Sequence, residues 1–114
     1  MTNTNAEFTG SSQIEINCKK IGFTICEKFA KQYPINPQIY WEIIEGKRFF
    51  KLVIRTFGLT GGSAHAFIDK TNGNMYKAAS WSAPAKTARY NVLIDIEKIL
   101  EKATNTGAYL YAAF

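Results

Sequence analysis

An α+β fold is what this 114-residue chain predicts, on three observations. A helical apolar stripe opens the chain, extended runs joined by short turns fill its middle, and a second helical stripe follows. Three successive short connections favour an antiparallel meander over a parallel sheet. The expected architecture is an N-terminal helix, a four-stranded antiparallel meander, a C-terminal helix and a last strand. Both helices pack on one face of the sheet. Residues 1–10 read as a disordered tail of Thr, Asn and Gly, and 11–114 as one domain.

The first helix is expected from Ser12 to Gln32. Ser12 and Glu15 have capping-box spacing. Ile14, Cys18, Ile21, Ile25 and Phe29 recur every three or four residues, which is one amphipathic stripe. Pro34 and Pro37 end it. Ile39 to Glu45 is rich in β-branched and aromatic residues and reads as a strand. After a Gly46-Lys47 turn, Arg48 to Phe57 makes a second strand, with Phe50, Leu52 and Ile54 on one face. Its other face carries Phe49, Lys51, Val53, Arg55 and Phe57. A glycine-rich loop, 58–62, leads to a third strand from Ser63 to Asp69. Lys70 to Gly73 is a turn with an Asn-Gly hairpin signal. Asn74 to Ala78 is the fourth strand. Ala79 to Tyr90 is irregular around Pro84. Asn91 caps a second helix whose apolar face is Val92, Leu93, Ile96, Ile99, Leu100 and Ala103. Ala108 to Phe114 reads as the last strand.

Charge is unevenly spread. The chain carries net +5, yet residues 46–91 hold eight Lys and Arg against Asp69 alone, net +7, and the remainder is −2. Such polarity favours a polyanionic partner. Cys18 and Cys26, eight residues apart on one helix, would lie ~12 Å apart, too far for a disulfide. Both are expected to be reduced and buried. Free thiols, the polar stretch Met1 to Ser12 and the lack of a 20-residue apolar run predict a cytoplasmic protein without membrane attachment.

Chemistry-bearing constellations are scarce. His65 is the single histidine, and two cysteines eight apart make no zinc site. No nucleophile or orienting carboxylate is placed beside His65, so no catalytic residues, metal or cofactor are assigned. The segment 58–63 lacks the lysine and the following helix of a phosphate-binding P-loop. The distinctive stretch is 73–90, where Tyr76, Trp81 and Tyr90 interleave with Lys77, Lys86 and Arg89. Rings can stack on bases while cations meet phosphates. With Lys51 and Arg55 from the second strand, this predicts a surface for single-stranded nucleic acid or another polyanion. Its residues are Lys51, Arg55, Lys77, Trp81, Lys86 and Arg89. Two alternatives stand beside it: a homodimer formed through the helix-free sheet face, and a small-molecule pocket around His65, Tyr76 and Tyr90.

The pattern G-x-x-Y-K-x-A-S-W-x-x-P-A-K-x-x-R-Y within these residues resembles small uncharacterised proteins of phages and marine metagenomes. The resemblance implies a phage-type accessory protein acting in the cytoplasm of a host cell. It carries over no catalytic residues and does not choose a ligand.

Overall fold

The computed structural model describes residues 10–111. Helix α1, Gly10–Gln32, leads into strands β1 (Ile39–Glu45), β2 (Phe49–Thr56), β3 (Ser63–Asp69), β4 (Asn74–Lys77) and β5 (Tyr90–Asn91). Helix α2, Ile96–Lys102, and a 3-10 turn, Ala108–Leu110, complete the chain. The five strands form one sheet in sequence order, every pair antiparallel. The α+β expectation therefore holds, and the meander has one strand more than expected. That strand, Tyr90–Asn91, is two residues long and follows an irregular segment, so no period-two run announces it.

Ile14, Cys18, Ile21 and Ile25 are buried along α1 against Phe50, Leu52, Ile54, Ala66, Ile68 and Met75 of the sheet. Ile99, Ala103, Val92 and Leu110 close the same core from the C-terminal side. Both helices lie on this face. Lys28 fixes α2 to α1, its Nζ donating to the carbonyls of Leu100, Glu101 and Ala103 at 2.8, 2.9 and 2.9 Å. Asn17, buried, donates through Nδ2 to the Val92 carbonyl at 2.7 Å.

Several expectations are corrected at the element ends. α1 already includes Gly10, so Ser12 stands inside the helix and is not its cap. The rest of the expected tail, 1–9, lies outside the described residues. Asn91 belongs to β5, and α2 starts only at Ile96. The Asn91 Oδ1 accepts from the Leu93 and Ile94 amides, which satisfies a turn where the helix was expected to begin. The last strand is replaced by the 3-10 turn, and 112–114 lie outside the described residues. In the β3–β4 turn only Gly73 is left-handed, at φ +83°, so Asn72-Gly73 does not form a two-residue hairpin. Cys18 is buried, whereas Cys26 is half-buried. Eight residues advance a helix by about 80° beyond two full turns, which rotates Cys26 off the core stripe.

The helix-free sheet face is less open than the alternation implied. The segment after β4 forms a small hairpin, with Ala78 bridged to Pro84, and lays Trp81 and Ser82 beside Lys51. On this face Val53 is fully buried and Phe67 nearly so.

A tyrosine-lined cationic cleft

A register irregularity sets up the candidate site. Leu52 pairs with Ala66 but Val53 pairs with Ala64, so His65 is an extra residue in β3. A bulge of this kind breaks the alternation. It lets His65 face the helix side together with Ala66. There its Nε2 lies 2.7 Å from the Tyr109 Oη, with the two rings 5.5 Å apart. Tyr109 comes from the 3-10 turn, which Gly107 introduces. Tyr90, in β5, donates its hydroxyl to the Tyr109 carbonyl at 3.2 Å. Arg89 donates from Nε to the Leu110 carbonyl at 3.0 Å. Residues 44 positions apart thus meet at one end of the molecule.

Two depressions flank Tyr111 there. The larger, about 400 Å³, is lined by Tyr90, Tyr109 and Tyr111 with Arg89, Lys98 and Lys102. Lys98 and Lys102 are one turn apart on α2 and so share a face. The smaller, about 200 Å³, is lined by Ser63, His65, Lys77, Asn105, Thr106 and Tyr111, among others. Lys77 places its Nζ 4.8 Å from the centre of the Tyr111 ring. Among the described residues no carboxylate lines either depression. Both hold positive potential and aromatic or hydrogen-bonding surface, which suits an anion with a flat or polar body.

Desolvation sets the protonation of this pair, His65 buried and Tyr109 half-buried. It lowers the His65 imidazole to about 4 and raises the Tyr109 phenol well above its ordinary value, so both are neutral near pH 7. Among the described residues this neutral imidazole on a neutral phenol has no carboxylate behind it, the orienting partner of a general-base relay. Among the described residues no three His, Cys, Asp or Glu side chains gather as a metal site, and no helix is long and apolar enough to cross a membrane.

The sequence-derived site residues divide between two surfaces. Lys77, Arg89, His65 and Tyr90 come together at the cleft. Lys51 and Trp81 lie on the far sheet face, where the Lys51 Nζ stands 4.0 Å from the Trp81 ring centre. Arg55 is there too, in an ion pair with Glu42 at 2.7 Å and bonded to the Gly61 carbonyl. Tyr76 also faces that side, edge-on to Phe49 with centres 5.9 Å apart, so it is separated from His65 and Tyr90. Lys86 is exposed on the connecting segment. Sequence reasoning missed Lys98, Lys102, Tyr109 and Tyr111. The four-residue lysine spacing was a readable signal, and the tyrosine pair was visible only as two aromatics in a terminal run.

Fold and site together define a small α+β protein, a five-stranded meander under two helices with a cationic, tyrosine-lined cleft at one end. The chain belongs to DUF7717, a family of unknown function whose profile matches residues 3–112. No curated protein and no solved structure matches it.

Proposed function

We propose that this protein is a non-catalytic binder of single-stranded nucleic acid, and that the strand lies in the tyrosine-lined cleft. The observation that carries the reading is the convergence of Tyr90, Tyr109 and Tyr111 with Arg89, Lys98 and Lys102 around about 400 Å³, with no carboxylate in the lining among the described residues. Tyr111, exposed, offers its ring to a base, and the cations along the rim meet the phosphates. Lys77 extends the track past Tyr111, and Lys86 lies on the segment leading to Arg89. Lys51, Arg55 and Trp81 stand on the other face and are left out of it. The resemblance to phage and marine metagenome proteins supplies a setting, an accessory protein acting on nucleic acid in a host cytoplasm.

The test is fluorescence anisotropy with labelled oligothymidylate and oligouridylate across a salt series. Affinity falls steeply with salt. Replacing Lys98 and Lys102 together by Ala makes the log–log slope shallower by about 1.4 if each meets one phosphate. Tyr111→Ala costs ~1–3 kcal/mol of binding with little change in slope. Trp81→Ala leaves binding unchanged. Absence of binding to either oligonucleotide at low salt by the folded protein sinks the proposal, and a loss confined to Trp81→Ala moves the site to the far face.

A further inference from the structure

His65 stands between the two depressions. Its Nε2 meets Tyr109 on the tyrosine side. Its Cε1–Nδ1 edge passes Gly107 on the other, where an added Cβ would lie 3.8 and 3.9 Å from those atoms. Gly107 and His65 both line the smaller depression. The side chain is 7% exposed. The half-buried Tyr109 hydroxyl has no other acceptor among the described residues, and this is what assigns the direction: the phenol donates to Nε2. The proton of the neutral ring then sits on Nδ1. That donor has no acceptor among the described residues. A buried donor left in this way costs free energy unless something outside the chain accepts from it. Lys77 adds a second donor, since its ammonium meets the Tyr111 ring and, among the described residues, no carboxylate or carbonyl.

We propose that the depression of about 200 Å³ beneath Lys77 is a binding site for a small oxyanion, a phosphate monoester or a carboxylate, held by His65 Nδ1–H and the Lys77 ammonium. Ser63 and Asn105 supply neutral donors at its rim. A carboxylate or phosphate accepts from several donors at once and gains most from a charged one. Tyr109 is the positioning residue, because its hydroxyl fixes the imidazole tautomer. Two sources present such a group. One is the terminal phosphate of a strand in the adjoining cleft, since Tyr111 lines both depressions, and this source rests on the function proposed above. The other is a free small anion.

The single histidine makes the test direct, because its imidazole nitrogen resonances are unambiguous. The probe is inorganic phosphate, titrated into the protein at neutral pH. The expected result is an Nδ1–H tautomer whose Nδ1 resonance shifts saturably with phosphate. Lys77→Gln weakens that binding by about tenfold, through loss of the charge-assisted bond. Tyr109→Phe releases the tautomer, so both protonated forms appear, and phosphate binding weakens in a protein that still unfolds cooperatively. An Nε2–H tautomer in the wild type, or no saturable shift up to tens of millimolar phosphate, overturns the site. A second arm compares tetranucleotides with and without a terminal phosphate. Tighter binding of the phosphorylated strand assigns the strand end. Equal affinity with the phosphate shift retained assigns the free anion. A phosphate shift without oligonucleotide binding removes the nucleic-acid reading and leaves the oxyanion site standing, and the reverse pattern does the opposite.

Discussion

Gly22 lacks a Cβ at a point where α1 comes down on the indole of Trp41. A Cβ built there would sit 2.7 Å from the Trp41 Cγ and 2.8 Å from Cδ2. Those atoms are the root of the ring, so they cannot swing aside as a flexible side-chain end does. Trp41 packs against the core and belongs to β1, so this one glycine sets how closely helix and sheet approach. Two effects oppose each other in Gly22→Ala. The helical backbone gains up to ~1 kcal/mol from losing a glycine. Overpacking costs about 1–3 kcal/mol, because the helix or the indole must move. The expected outcome is a net loss of stability, read as a lower urea midpoint at unchanged slope. A midpoint raised by the substitution shows that α1 has room to lift and that the contact does not fix its height.

At the scale of elements, α2 is the weakest part of the fold. It has seven residues, one of them buried, and no side-chain cap at its start. An isolated helix of that length is not stable in water. What holds it is Ile99 in the core and Lys28 at its end. The Lys28 ammonium satisfies carbonyls that a helix leaves unpaired at its C-terminus and opposes the negative end of the dipole. Lys28→Met keeps the aliphatic stem and deletes the three bonds. It costs about 1–2 kcal/mol, and amide exchange in Ile96–Lys102 accelerates ahead of exchange in β2 and β3. Equal acceleration in all three elements shows that α2 does not open on its own. The same element explains what the sequence made legible. The apolar stripe of α1 and the runs of β1 to β4 declare themselves by periodicity, so the architecture was readable. The start of α2 was not, because the apolar pattern from Val92 runs on through a turn that Asn91 caps with its side chain. β5 was not readable either. Two residues have no period, and they pair with β4 only because the Arg89 amide bonds the Met75 carbonyl and the chain returns alongside.

For the whole molecule, the +7 segment shows what a linear reading of charge omits. Arg55 and Lys70 pair with Glu42 and Glu45, carboxylates that lie outside that segment in β1 and arrive by sheet register. Arg48 pairs with Asp69. Much of the sheet's positive charge is thereby met, while Lys98 and Lys102, from the part of the chain that sums to −2, join the cleft. The site was half legible for the same reason. Lys77, Arg89 and Tyr90 stand in the distinctive stretch, but the partner of His65 is 44 residues away and depends on a bulge that no side-chain pattern announces. That buried imidazole predicts how the molecule responds to acid. In the folded chain it protonates at about 4, whereas in the unfolded chain it does so near the ordinary 6.5. As pH falls below 6.5 the unfolded state takes up a proton that the folded state refuses. Stability is therefore fully present above 6.5, falls between 6.5 and 4, and is level in this respect below 4. The gap corresponds to about 3 kcal/mol at ~1.4 kcal/mol for each pH unit. Asp69 acts in a lower window. Its bonds to Thr71 and Arg48 outweigh the cost of burying it and hold its carboxyl below the usual value. Its contribution is present above the unfolded carboxylate value of 3.8 and is lost as pH falls through the lower folded one. Urea unfolding from pH 7 down to pH 3 separates the two. The wild type loses about 3 kcal/mol before the carboxylate window opens. His65→Gln keeps an acceptor for the Tyr109 hydroxyl and flattens the upper part of the profile, and Asp69→Asn changes only the lower part. A wild-type profile flat from pH 7 to pH 5 means that the folded imidazole still reaches solvent protons, and that the Tyr109 contact opens in solution.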